Sequence, residues 1–184
     1  HKTVISAENT LIKILKRATQ LIQNETDIFS SSALKIFLKN NYTVDNFKEN
    51  DVILNTFSKL DDHDIYSCLK EWCNHDDFIL SSLSNRILNR EPLKIKTQND
   101  RFLEKEINKL KQKVSKKYNI SIDDTNYLVF TGKVSNNAYQ CEKTQINILM
   151  KNGEIKDITE ASDQFNIDAL SKTVNKYFLC YPKM

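Results

Sequence analysis

The 184-residue chain contains only two glycines, two prolines and three histidines. Two glycines cannot supply a glycine-rich phosphate loop or a dinucleotide-binding fingerprint, and two prolines exclude collagen-like or polyproline segments. No run of 18 apolar residues is present, which excludes a helix of membrane-spanning length, and no signal-peptide pattern is visible. The four cysteines, Cys68, Cys73, Cys141 and Cys180, never take C-x-x-C spacing, so neither a zinc ribbon nor a thioredoxin-like motif is encoded. Reduced, mostly buried thiols in a cytoplasmic compartment are the expectation. The chain also lacks a G-x-S-x-G elbow and an H-E-x-x-H pair.

What is present suits a globular protein: 40% hydrophobic and 28% charged residues. Twenty-seven basic residues are interspersed with 24 acidic ones for a net charge of +3, too mild a balance to imply a polyanion-binding field. Lys109 to Lys117 lacks interleaved aromatics for base stacking, so nucleic acid is not an expected partner.

Apolar spacing predicts a helical first part. Val4, Ala7, Leu11, Leu15, Ala18 and Leu21/Ile22 mark a helix over 2–23. Only His1 and Lys2 precede Thr3, so this helix reads as one continued from a longer chain, with Thr3 as a true cap the competing view. Further helices are expected over 30–40, around Val52 to Leu60, around Ile65 to Trp72 and around Phe78 to Leu88. Pro92 ends the run, and Leu93 to Thr97 alternates like a short strand. Asn99 or Asp100 is expected to cap a long polar helix reaching Tyr118, with Leu103, Ile107, Leu110 and Val114 as its apolar seam.

After Ser121 β-formers take over. Tyr127 to Val134 reads as a strand. Ile146 to Met150 and Ile155 to Ile158 flank Asn152-Gly153, which predicts a hairpin with a type I′ turn. A helix around Ala161 to Ser171 and a last strand over Tyr177 to Tyr181 complete a β-β-β-α-β tail. The fold class is therefore α+β: a helical segment over 1–97, then the long helix and a small α+β domain over 98–184.

Two His-Asp pairs, His63-Asp64 and His75-Asp76, have the residue types of a hydrolytic metal centre. Both also sit at helix junctions, where Asp serves as a cap, and capping is the reading adopted. Basic residues offer a second kind of chemistry. Arg86 and Arg90 lie four apart on one helix, Lys94 and Lys96 share one strand face, and Lys2 lies at the start of the first helix. Such side chains at an element boundary either clamp phosphates or are ordinary surface charge.

At these residues the chain resembles HD-superfamily phosphohydrolases, in particular bacterial dNTP triphosphohydrolase-like proteins of the Bacteroidetes type. His1-Lys2-Thr3-Val4 is similar to their H-K-T-V segment, and Leu60-Asp61-Asp62-His63-Asp64-Ile65 to their L-D-D/T-x-x-I segment. Asn89-Arg90-Glu91-Pro92-Leu93-Lys94 is similar to their N-R-x-L-F-K segment, with Pro92 and Leu93 in place of Leu and Phe. The tail resembles the small α+β domain that ends those proteins. The resemblance implies a divalent metal whose ligands lie upstream of these residues, a dNTPase-like activity of the intact protein, and little activity in this part alone. It implies a nucleotide effector held through its phosphates by Lys2, Arg90 and Lys94, at a junction between subunits of a homo-oligomer. It further implies partnership with an N-terminal HD catalytic part. A non-catalytic protein-interaction module is the alternative.

Overall fold

The computed structural model describes residues 1–136, 146–157 and 174–184. It is an α+β protein whose described elements run α1 (Lys2–Gln23), α2 (Ser32–Lys39), α3 (Val44–Glu49), α4 (Asp51–Phe57), α5 (Asp62–Trp72), α6 (Phe78–Leu88), β1 (Lys94–Gln98), α7 (Glu104–Tyr118), α8 (Thr125–Leu128), β2 (Phe130–Asn136), β3 (Asn147–Leu149), β4 (Ile155–Asp157) and β5 (Val174–Tyr181). The expected helix around Ala161 to Ser171, and Cys141, lie outside the described residues.

The chain divides into two compact units. The first comprises His1–Lys96, Leu103–Phe130 and Leu179–Met184, and the second Thr97–Phe102 and Thr131–Phe178. The long helix α7 thus belongs to the first unit, where Val114 is fully buried.

In the first unit α1 packs most extensively on α6. The buried stripe of α1 is Ser6, Thr10, Ile14 and Ala18; of the stripe expected from hydrophobicity only Ala18 is fully buried, and Val4 faces solvent. Small side chains at the contact let two helix backbones approach closely, and Ser84 on α6 is buried likewise. Two of these buried hydroxyls are hydrogen-bonded: Ser6 Oγ donates to the Leu93 carbonyl at 2.8 Å, and Thr10 Oγ1 to the Ser6 carbonyl at 2.7 Å, whereas Ser84 Oγ has no partner among the described residues. Trp72 of α5 is buried and donates Nε1–H to the Phe29 carbonyl at 2.8 Å.

Shortage of glycine leaves its mark at three helix ends. Glu25, Arg90 and Asn119 take left-handed backbone at φ 60, 56 and 51°, the position after a helix where glycine is usual. After α6, the Glu91 N–H donates to the Arg86 carbonyl at 2.9 Å and the Arg90 N–H to the Ile87 carbonyl at 3.2 Å, closing a Schellman turn around Arg90.

Three expectations need correction. α7 starts at Glu104, not after Asn99 or Asp100, and its N-cap Leu103 is exposed instead of forming part of the seam. Glu104 and Glu106 fill its first turn, where negative charge suits the helix dipole. The helix α3 went unforeseen because it is only six residues long with Val44 exposed; its signal is the capping box of Thr43 and Asn46. The segment Tyr127 to Val134 begins with the last two residues of α8, and only from Phe130 does it become β2.

The three-stranded sheet has the order β1-β5-β2. Its central strand is the last in sequence and buries Phe178, Leu179 and Cys180. β3 and β4 form the expected antiparallel hairpin, with Asn147 opposite Asp157 and Leu149 opposite Ile155. The turn is not type I′, because Asn152 lacks the required positive φ. Instead Gly153 N–H donates to the Met150 carbonyl at 2.9 Å with Gly153 at φ 85°, and Met150 N–H returns to the Glu154 carbonyl at 2.8 Å, a three-residue loop.

In the second unit Gly132 lies under the buried Phe178 ring, and a Cβ there would collide with the ring. Gly132→Ala is expected to lower stability by about 1–3 kcal/mol through overpacking, read as a drop in urea midpoint. An unchanged midpoint would mean that the ring moves aside freely.

Candidate anion-binding site

The joint between α6 and β1 is built by a helix that stops without glycine. Arg90 takes the left-handed position, Pro92 prevents helical continuation, and Leu93, just before the first strand residue, is buried. Around this joint lies an open cleft of about 540 Å³. Its cations are Arg86, Arg90, Lys94 and Lys183, against a single carboxylate, Glu91. Thr3 borders the cleft from the first turn of α1, which holds no acidic residue, so the positive end of a 22-residue helix dipole adds to the field.

Among the described residues, none of the four cations has a carboxylate within ion-pair distance. Neighbouring lysines differ. Lys96 lies 3.3 Å from Glu106 and also approaches the Tyr181 ring, so it is occupied. The structure therefore brings Arg90 and Lys94 into one cleft. Lys2 is adjacent to Thr3 but is not part of the lining. Sequence spacing picked out Arg86 only as a helix neighbour of Arg90, and it missed Lys183, which reaches the cleft from just beyond β5.

A non-glycine residue at positive φ costs about 1 kcal/mol or more relative to glycine. Strain of this kind gathers at ligand-binding positions. Arg90 combines such backbone with a side chain that has no ionic partner among the described residues.

The first His-Asp pair is engaged in helix capping. Asp61 accepts from the His63 and Asp64 N–H groups at 2.7 and 3.3 Å, and Asp64 returns to the Asp61 N–H at 3.0 Å. The Ser31 hydroxyl and the Asp61 N–H hold the Asp64 carboxyl below its ordinary range. At the second junction the cap is Asp77, not Asp76: it accepts from Leu80 N–H at 2.8 Å, while His75 Nδ1 accepts from Asp77 N–H at 2.9 Å. Among the described residues no three His, Cys, Asp or Glu side chains converge as a metal-ligand set. Cys68 and Cys180 are buried and Cys73 half-buried. Burial pushes all three thiols up, Cys180 to about 11, away from nucleophilic thiolate character.

A separate network, unforeseen from sequence, holds α1 to α6. Arg17 Nε lies 3.1 and 3.2 Å from the two Asp77 oxygens and Nη2 lies 2.6 Å from Oδ2. Its Nη1 donates to Gln20 Oε1 at 2.7 Å and lies 3.2 Å from Asp124 Oδ1. Burial alone would raise the Asp77 carboxyl. The hydrogen bonds from Arg17 and Leu80 N–H, with the charges of Arg17 and His75, outweigh it and hold the group below its ordinary range. A folded value below the unfolded one near about 4 gives stability that is complete above that value and is lost as pH falls through the folded value. Stability is thus expected to fall steeply below about pH 4, and Asp77→Asn to flatten that acid limb in urea titrations. An identical acid limb in the variant would contradict the assignment.

No protein-family model matches the chain, and no curated protein matches it either. Among solved structures, it is similar over 100% of its length to a phosphohydrolase from Bacteroides thetaiotaomicron, at 39% identity and a TM-score of 0.87. The chain spans 45% of that protein's length. Among the described residues no helix is long and apolar enough to cross a membrane.

Proposed function

We propose that this chain is the effector-binding and assembly part of an HD-type, metal-dependent phosphohydrolase acting on nucleotides. Two things support a phosphohydrolase: the likeness of the whole chain to part of one, and a cleft that presents cations without carboxylate partners among the described residues at the motif resembling N-R-x-L-F-K. The observation that carries the ligand class is the cleft at the α6–β1 joint. Arg90 and Lys94 converge there without carboxylate partners among the described residues, beside a helix N-terminus. Charge-assisted hydrogen bonds from a guanidinium fork and an ammonium suit the oxygens of a polyphosphate. Lys2, one residue from Thr3 at the cleft edge, would add charge without lining the cavity.

The described residues do not fit the divalent ion that the resemblance implies, because they offer no converging donor set. No chemical step is therefore assigned to this chain. Its residues bind and neutralise phosphate, while the metal and the HD catalytic part are assigned to sequence outside these 184 residues, in a cytoplasmic protein. The test is titration of the chain with inorganic tripolyphosphate. Binding that is lost in Arg90→Ala/Lys94→Ala supports the proposal, and indifference of the double variant removes it.

A second reading, an interaction module, is favoured by one surface. Phe37, Tyr42, Phe47 and Phe57 form a ring cluster with centroids 5.5–6.3 Å apart, beside Val44 and Val52, which are 71% and 72% exposed. Exposed apolar patches of this kind mark protein contacts. A homodimer that dissociates in Val52→Glu, measured by sedimentation, is expected. A monomeric wild-type chain would exclude this contact.

A further inference from the structure

One face of α7 carries charge of a single sign. Lys105, Lys109, Lys113 and Lys117 stand four residues apart in an unbroken row, Lys116 lies beside them, and all five are exposed. Among the described residues none of the five has a carboxylate within ion-pair distance. Lys117 donates to the Lys183 carbonyl at 2.9 Å; the other four have no hydrogen-bond partner there. Glu106, the acid that flanks the row in the first turn, is held by Lys96 at 3.3 Å.

Helix stability does not account for the row. Like charges four apart on a helix repel, and an ordinary solvated face alternates their signs. The helix dipole favours Lys116 and Lys117 in the last turn but opposes Lys105 in the first. Nor does the row serve to frame an exposed apolar surface. Val114 is fully buried, and Ile107 and Leu110 are half-buried, on the other side of the helix. What this face offers to solvent is a line of ammonium groups, and a partner that neutralises it relieves the repulsion.

We propose that the lysine face of α7 binds the phosphate backbone of a nucleic-acid duplex, independently of its sequence. The row is straight, about 18 Å long in steps of about 6 Å. A duplex presents one charge per about 1.7 Å of its axis, so each ammonium meets phosphate oxygens without a fixed register. The face has no ring on which an unpaired base could stack, and Tyr118, the helix's one aromatic residue, packs against Phe78. That lack disfavours a single strand, whereas a duplex keeps its bases stacked inside. A lipid surface fits less well. Helices that lie on membranes insert an apolar face beside their lysines, and the apolar side of α7 is turned into the protein. The face shares no residue with the lining of the α6–β1 cleft and does not rest on the polyphosphate reading.

Fluorescence anisotropy of the full chain with a short labelled DNA duplex of mixed sequence, repeated over a range of salt, tests this. Four or so neutralised phosphates predict a log–log salt slope of about −3 to −4. Lys105→Gln/Lys109→Gln/Lys113→Gln is expected to weaken binding by about tenfold or more at low salt and to flatten the slope by about three, one for each lysine. Glutamine keeps helix propensity and ends the repulsion, so the variant should melt no lower than wild type. Lys35→Gln/Lys39→Gln/Lys48→Gln makes the same change of net charge on α2 and α3 and should bind like wild type. Tripolyphosphate binding should survive in the α7 variant, and duplex binding in Arg90→Ala/Lys94→Ala. The proposal is overturned if wild type ignores the duplex, or if the α2–α3 variant loses as much binding as the α7 variant. Binding as tight to a single strand, to polyglutamate or to phosphatidylserine vesicles in the same salt would overturn the duplex as the occupant.

Discussion

Asp77→Ala is expected to destabilise the chain by about 3–5 kcal/mol, the cost of breaking a largely buried ion pair by removing one partner. The Arg17 and Asp77 side chains are 15% and 14% exposed, so water cannot replace the lost carboxylate well. Asp77 also caps α6 through the Leu80 N–H, and loss of a cap costs about 1 kcal/mol. Asp124, 3.2 Å from Arg17 and 30% exposed, compensates in part and places the expected loss toward the lower end. Urea denaturation with an unchanged slope measures it. Asp77→Asn retains a capping oxygen but not the charge, so it should fall between wild type and Asp77→Ala. A loss below about 1 kcal/mol for Asp77→Ala, the worth of an exposed pair, would show that α1 and α6 are held by packing alone.

How much of this was legible in the sequence depends on the kind of signal. α1, α5 and α6 and the α+β class follow from apolar spacing, and the hairpin follows from Asn152-Gly153. The face of α1 did not follow. Periodicity weights hydrophobic residues, whereas Ser6 and Thr10 are buried because they are small and bond backbone carbonyls across or along the helix. The Arg17–Asp77–Asp124 network joins residues 60 and 107 positions apart, and no local pattern encodes such a meeting. At the candidate site, Arg90 and Lys94 were visible because one turn and one strand hold both. Lys183 was not, since it arrives from the far end of the chain. Nor does spacing show that Arg90 sits at positive φ; a shortage of glycine is the only hint.

Removing the cleft's charge is expected to have the other large effect. A hydrogen bond to a charged group contributes about 1.5–3 kcal/mol, so losing the Arg90 and Lys94 side chains together should weaken tripolyphosphate binding by about 100-fold or more. Neither side chain has an ionic partner among the described residues, so their removal leaves no carboxylate stranded and little folding stability is at stake. Binding should also weaken with added salt, as displaceable counterions compete for the cleft.

Arg90→Gly separates ligand binding from fold most sharply. Glycine relieves the left-handed backbone at φ 56° and should raise the melting temperature of the ligand-free chain. The same change removes the guanidinium, so the stabilisation that tripolyphosphate gives wild type should largely vanish. A variant that is more stable alone yet no longer responds to tripolyphosphate is the predicted result. A variant whose thermal shift with tripolyphosphate equals that of wild type would contradict phosphate binding by Arg90.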